Sequence, residues 1–495
     1  MSLRDLPRLR KTIQTPQSPE SKTDPEATAF YDVKPCPYQL PSDNPIFAVT
    51  GTQYTVVFQC HPAREPVVDD DEGRDIRWFG VGEYKGTHES LNSLAWARTR
   101  DGKPLLCVTG KKPVIDVMDP FTGDSVQTLT GSGADVNDLA TCPTDSTILA
   151  SCSMDLSVKL WTLDPAHNPK YLAAKCLGHQ ENVIAITWHP SGNYLLSGGM
   201  DTKINLWHIP PFRQEELGND KPRLIHYPHF SSVEVHSDYP DCFQFCGDNV
   251  LSRCAKENRI LLWRIDSFNS RRKAPDAPIP PSQVVRSETK VVLPLSQKCG
   301  TWSAWGGSYQ RLLSFNLSHS ESWYIRFNVF NGALDQANVP PVLVAGNQEG
   351  TLSFWDLHDV EQYPSSAADA RARQKRSNRS KGSSVIRPQS EYTSSAAAED
   401  TDEGYTTTGS RAPKRKGRKR QKKVKSIPPQ ILGDPFQSLE PQKQITINRL
   451  EGRVFKPDWT VRQVAWSQDG RVCVAVGDKG MIAILTRWED GVPDG

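Results

Sequence analysis

Two adjacent aromatics, Trp323 and Tyr324, carry the most pointed chemistry in this chain of 495 residues. Paired π faces can wall a pocket for a cation, and methyl-ammonium groups are recognised in this way. The competing use of such a pair is to cap an apolar core. Three thiols, Cys242, Cys246 and Cys254, also lie close together. Clustered thiols hold zinc, but no His or second Cys pair completes a tetrahedron here, so packing of small residues in a strand pair is the better reading. Residues 411–425 hold ten Lys and Arg in fifteen positions. That density suits phosphate contact and equally suits a nuclear-import signal or a solvated linker. Catalysis finds no foothold, because there is no nucleophile elbow, HExxH, phosphate loop or post-strand GxGxxG. No enzyme, metal or cofactor is expected.

The elements that must position these residues come from a repeat. The stretches Ile148 to Trp161 and Tyr194 to Trp207 match position by position, with their tryptophans 46 residues apart. Each reads as a short apolar strand, a turn carrying Asp155 or Asp201, and an alternating strand ending in Trp. Weaker copies end near Cys60, Met118, Trp263, Trp355 and Leu485, which makes seven. A further strand precedes most of them, as in Leu91 to Trp96, Val183 to Trp188 and Trp323 to Phe327. Seven antiparallel units about 45 residues apart imply an all-β fold, a single seven-bladed β-propeller whose radial closure protects the sheet edges. Gly178 and His179, followed by Ser197, Asp201 and Trp207, resemble the WD-repeat signature, in which His, Ser, Asp and Trp form a buried hydrogen-bonded relay. The third blade keeps Ser151, Asp155 and Trp161 but has Ser132 in the His position, so its relay should be incomplete.

The propeller is expected over residues 27–488, between a disordered tail at 1–26 and a short tail at 489–495. Insertions at 211–237, 267–320 and 361–441 interrupt the period. Trp302, Trp305 and Tyr309 suggest that part of the second packs on the body. The third is poor in large apolar residues and is expected to be disordered and basic. Net charge supports this division. The whole chain carries +2, yet residues 358–432 hold 17 Lys and Arg against 8 Asp and Glu, which leaves the remainder at −7. The 11 cysteines follow no small-scaffold spacing, the first residues lack an apolar signal core, and no apolar window approaches the length of a membrane span. An intracellular protein without membrane contact is expected.

Aligning the units places one residue per blade at the start of the innermost strand: Tyr31, Asn92, Asn137, Ile184, Asp241, Trp323 and Arg462. These should ring one mouth of the central channel. Most are polar, as a solvated rim requires, and the aromatic pair stands one circular step from Tyr31 across the seventh blade.

At these residues the chain resembles the EED/extra sex combs family of WD-repeat Polycomb group proteins. The likeness is carried by Phe47-Ala48-Val49-Thr50-Gly51, Leu195 to Asp201, Trp323-Tyr324-Ile325-Arg326-Phe327, Gly346-Asn347-Gln348-Glu349-Gly350, and Val461-Arg462-Gln463. The resemblance implies a nuclear, non-catalytic scaffold that supports an enhancer-of-zeste-type SET-domain methyltransferase within a Polycomb complex. It also implies binding of trimethyl-lysine of a histone tail in an aromatic cage. Carried over by position, Trp323 and Tyr324 match two cage aromatics, and Tyr31 matches a third where the family usually has Phe. Asn92 falls where the family has a further cage Tyr, a gap that Tyr84 could fill. Asn137, Asp241 and Arg462 match rim positions near the bound peptide, and Asn92 is expected to join them as a peptide-binding rim residue. Contact of residues 411–425 with nucleosomal DNA or an import receptor is an inference from charge alone. The rival reading is a generic WD-repeat adaptor, a ubiquitin-ligase receptor or RNA-associated scaffold, without methyl-lysine recognition.

Overall fold

The computed structural model describes residues 6–15, 28–40, 42–52, 54–61, 76–83, 90–276, 300–331, 341–357, 438–450 and 453–487. Among the described residues seven sheets of four or five strands form the blades, as the repeat requires, beside one small two-stranded ladder of Arg449–Leu450 and Arg453–Val454. Their innermost strands are Phe30–Pro35, Leu91–Arg98, Val136–Thr141, Val183–Trp188, Pro240–Cys246, Phe327–Phe330 and Val461–Trp466. Each packs beside the next, and the last packs beside the first, so the sheets close into a ring.

No blade buries its own faces. One apolar cluster joins Ala150, Val158 and Leu160 of the third blade to Ile186, Trp188 and Leu195 of the fourth. Another joins Leu196 and Leu206 of the fourth to Phe245 and Trp263 of the fifth. A third joins Phe47 and Phe58 of the first to Val474 and Ile482 of the seventh. Burial of this kind is the main favourable term in folding, and here it exists only between neighbours.

Ring closure corrects the expected N-terminal tail. Residues Arg8–Gln14 form a strand that pairs antiparallel with Met481–Thr486, from Arg8 opposite Thr486 to Gln14 opposite Met481. The seventh blade thus takes three strands from the C-terminal region and its fourth from near the start of the chain. The strand is mostly half-exposed and basic, so composition alone reads as a tail. Its backbone groups nevertheless need partners, and the open edge of the last blade supplies them.

The insertions are shorter than expected for the same reason. Phe230–Ser232 completes the fourth blade and Thr301–Ser303 extends it. Tyr309–Asn316 completes the fifth blade. Arg223–Ile225 adds in parallel to Leu172–Cys176, and Ser438–Leu439 adds in parallel to the fifth blade's edge. Edge strands present one polar side and are short, which hides their period. Residues 359–437, including 411–425, and residues 488–495 lie outside the described residues, as does Tyr84.

One structural device recurs at the channel mouth. In six blades the inner strand slips register at its second residue: Tyr31, Asn92, Asn137, Ile184, Asp241 and Arg462 each sit in a bulge. A bulge re-aims one side chain out of the alternating pattern. Close backbone approach accompanies it, and glycine makes that possible. A Cβ on Gly51 would lie 2.0 Å from the carbonyl oxygen of Ala29, and one on Gly110 2.0 Å from that of Ser90.

Two outcomes follow for stability. Deleting residues 1–15 exposes the edge of Met481–Thr486, and differential scanning fluorimetry should record a midpoint lower by several degrees, with aggregation. Buried His229 packs against His208, ring centroids 5.4 Å apart, and against Trp305. Burial, followed by the neighbouring His208, pushes its pKa down to about 4. The folded state refuses a proton that the unfolded chain accepts, so this contribution is intact above about pH 6.5 and is lost as pH falls toward 4. Denaturant titrations of wild type and His229→Phe across that window should diverge by on the order of 2–3 kcal/mol.

Candidate functional site

The sixth blade departs from the bulge pattern, and the expected strand from Trp323 to Phe327 is corrected here. The inner strand begins only at Phe327, and Trp323 and Tyr324 occupy the turn before it. Tyr324 has φ of 55°. A bulky residue in the left-handed region is strained by about 1–3 kcal/mol and persists only where its surroundings enforce it.

Two buried arginines do so. Arg253 of the fifth blade donates to the carbonyls of Ser320, Ser322 (2.9 Å) and Ile325 (2.8 Å), and pairs with Asp241 at 2.6 Å. Arg462 of the seventh donates to the Trp323 carbonyl at 2.9 Å and the Ser322 hydroxyl at 3.3 Å, and pairs with Asp478 at 2.7 Å. The aromatic turn is therefore held from both sides by guanidinium groups whose charges are neutralised in place.

The result is an arc of four rings. Tyr239 lies 5.4 Å from Trp323, and Tyr324 lies 5.9 Å from Tyr31, both pairs tilted. Trp323 is exposed, while Tyr31, Tyr239 and Tyr324 are half-buried. The Arg462 guanidinium sits 5.7 Å from the Tyr31 ring and that of Arg326 5.8 Å from Tyr324. Burial pushes the Tyr324 hydroxyl up to about 12, so it stays a neutral phenol. Electron-rich faces open to solvent at a channel mouth can receive a cation.

The structure thus brings Tyr31, Trp323 and Tyr324 together and adds Tyr239, which sequence reasoning missed. Its signal was position: it precedes the fifth inner strand, as Trp323 and Tyr324 precede the sixth. The expected solvated rim is corrected. Asn137 is buried and donates to the Val183 carbonyl at 2.7 Å. Asp241 and Arg462 are buried in the ion pairs that hold the aromatic turn. Ile184 is buried as well, and of these ring positions Asn92 remains half-exposed.

Below the mouth lies a layer of buried charge. The Ser93 hydroxyl lies between two carboxylates, 2.9 Å from Asp138 and 3.1 Å from Asp32, Arg326 pairs with Asp138 at 2.9 Å, and Lys34 with Asp32 at 3.2 Å. Burial would raise the Asp138 carboxyl, but Arg326 and Lys34 outweigh it and hold it low. Beyond this layer a cavity of about 450 Å3 opens toward the other mouth, lined by Trp96, Trp188, Phe243 and Asn328.

Relays lock the blades. In the fourth, His179 reaches Asp201 at 3.0 Å and Ser197 at 2.8 Å, and Trp207 donates to Ser197 at 2.8 Å. In the third, Trp161 donates to Ser151 at 2.8 Å, Ser132 turns to Ser153, and Lys159 takes the Asp155 carboxylate instead of a His. The fifth holds a relay that the sequence concealed: His236 bridges Glu257 at 3.0 Å and Ser252 at 2.7 Å, and Trp263 donates to Ser252 at 2.9 Å. Glu replaces Asp and the turn is one residue longer, so the spacing was disguised. Burial would raise the Glu257 carboxyl, but His236 and Ser237 hold it far below the usual range. Cys254 brings a third ligand-type atom within 4.8 Å of His236 and Glu257. Both His236 nitrogens are already engaged, so the relay accounts for the group. All ten described cysteines are free and buried.

Fold and relays together define a WD-repeat β-propeller protein. The WD domain, G-beta repeat family matches residues 123–162 and 171–208. Polycomb protein EED of Chaetomium thermophilum is 30% identical over 394 residues, covering 76% of this chain and 65% of its own length. Polycomb protein esc of Drosophila melanogaster is 26% identical, covering 64% and 68%. The crystal structure of the Chaetomium thermophilum Polycomb repressive complex 2 aligns with a TM-score of 0.73 at 25% identity, over 99% of both chains. A structure of ctPRC2 in complex with H3K27me3 and H3K27M aligns with 0.71 at 25% identity, over 98% of both. The chain is a homologue of the Polycomb EED, esc and FIE proteins, and it spans just under two thirds of the Chaetomium relative's length.

Ser252→Ala removes the hydroxyl shared by His236 and Trp263 and leaves a buried His–Glu pair half-satisfied. Urea unfolding should show a loss of about 2–3 kcal/mol, against about 1 kcal/mol for Ser151→Ala, where only Trp161 loses its partner.

Proposed function

We propose that this protein is a non-catalytic reader and scaffold subunit of a Polycomb-type histone methyltransferase complex, working in the nucleus. The observation that carries the reading is the arc of Tyr239, Trp323, Tyr324 and Tyr31, with Trp323 exposed and the turn held by Arg253 and Arg462. Methylated lysine of a histone tail enters this arc, its diffuse charge facing the rings and its methyl groups displacing water. The acidic propeller, −7 outside residues 358–432, favours a basic tail as ligand.

The opposite mouth, with Trp96, Trp188 and Phe243 around an open cavity, is the face that takes the SET-domain subunit. Occupancy of the arc and support of the methyltransferase lie on opposite faces of one closed ring, so product recognition and further methylation are coupled through a rigid body. The family relationship and the Polycomb repressive complex 2 structures support this assignment.

Titration of a fluorescent methyl-lysine histone peptide tests the reader half. Trp323→Ala and Tyr324→Ala should each weaken binding by about 1–2 kcal/mol, roughly 5–30-fold. Unchanged affinity in both variants, with wild-type melting, would remove the cage and leave the generic adaptor. Recovery of a SET-domain methyltransferase with the tagged full chain tests the scaffold half.

A further inference from the structure

The ring carries one position whose chemistry differs in kind from the rest of the arc. Asn92 occupies the bulge of the second inner strand as Tyr31 occupies that of the first. The residues that follow them touch: the Ser93 hydroxyl lies 3.1 Å from the Asp32 carboxylate, to which the Leu94 amide donates at 2.9 Å. Asn92 and Tyr31 therefore stand in adjacent slots of the mouth, and Tyr31 is in turn 5.9 Å from Tyr324. Asn92 is half-exposed and engages no side-chain hydrogen bond among the described residues. Its counterpart Asn137 is buried, with its amide spent on Val183. Beside Tyr31 the mouth thus presents, among the described residues, an unpartnered carboxamide rather than a fifth π face.

Resting on the reader assignment above, we infer that Asn92 sets the methylation state this site prefers, and that the preferred ligand is dimethyl-lysine rather than trimethyl-lysine. A trimethylammonium group has no N–H. It gains from aromatic faces only and can make no hydrogen bond to the Asn92 carbonyl oxygen. A dimethylammonium group keeps one N–H, which is costly to leave without an acceptor inside a ring of aromatics. The Asn92 oxygen supplies that acceptor in the slot where the aromatic wall is open. Tyr239, Trp323, Tyr324 and Tyr31 still accommodate the two methyl groups. Monomethyl-lysine carries two N–H groups and unmodified lysine three, so one acceptor leaves a growing number unpaired. Dimethyl-lysine satisfies both halves of the site at once. A hydrogen bond from a charged donor is strong enough to favour it over trimethyl-lysine by about three- to tenfold.

The test uses the full chain and four fluorescent peptides of the histone H3K27 sequence, carrying zero to three methyl groups, in anisotropy titrations. Wild type should bind the dimethyl peptide more tightly than the trimethyl peptide. Asn92→Tyr should reverse that order, because it exchanges the acceptor for a π face. Asn92→Asp, which strengthens the acceptor, should widen the dimethyl preference. Each variant should keep the wild-type melting midpoint, since the side chain is half-exposed and unpaired. Tighter trimethyl binding by wild type, or a dimethyl-to-trimethyl ratio that Asn92→Tyr leaves unchanged, overturns the inference while leaving the reader assignment intact. Binding of every peptide that is insensitive to Trp323→Ala, or no methyl-dependent binding at all, overturns the reader assignment and this inference with it.

Discussion

Every blade leaves apolar residues on both faces of its sheet, and only closure of seven sheets into a ring buries them all. The clusters that join the third blade to the fourth, the fourth to the fifth and the seventh to the first belong to no single blade. The pairing of Arg8–Gln14 with Met481–Thr486 is therefore more than an edge contact. It ties the beginning of the described chain to its end and converts a row of marginal sheets into one cooperative body. A site assembled from the first, fifth, sixth and seventh blades exists only because that body is closed.

Within the ring, rigidity reaches the mouth through buried charge. Arg253 and Arg462 spend their donors on the backbone of one turn, and each is neutralised by a carboxylate of its own blade. Breaking one partner of such a pair is far costlier than the pair is worth, so the turn has little freedom to relax the strain at Tyr324. Pre-organisation of this kind spares a ligand the cost of ordering the rings. The layer of Asp32, Ser93, Asp138, Arg326 and Lys34 beneath separates the aromatic mouth from the wider cavity on the other face. The two mouths are chemically distinct as a result, one aromatic and one broad and mixed.

The repeat gave away the architecture because each hairpin has to satisfy the same local rules. Period-two strands recur from blade to blade, the third and fourth blades share a turn Asp and a terminal Trp, and the relay of His179, Ser197, Asp201 and Trp207 is legible from spacing alone. Legibility failed where spacing was free to vary. The fifth blade's relay uses Glu257 on a longer turn, and the outer strands of the fourth and fifth blades follow long connections, so neither repeats at a fixed spacing.

The candidate site divides along the same line. Residue type marked Trp323 and Tyr324 as unusual, and register placed Tyr31 beside them. Rim chemistry was misjudged for Asn137, Asp241 and Arg462, because a polar residue at a strand start looks identical whether it faces solvent or a buried partner. Sequence by itself determined the fold class, the blade count and three of the four rings at the mouth, Tyr31, Trp323 and Tyr324, since these follow from local period and side-chain chemistry. Tertiary structure decided which strand closes the ring, which arginines hold the aromatic turn, and that Asn92 engages no side-chain hydrogen bond among the described residues. Those depend on residues far apart in the chain meeting across blades, a relation that no local pattern encodes.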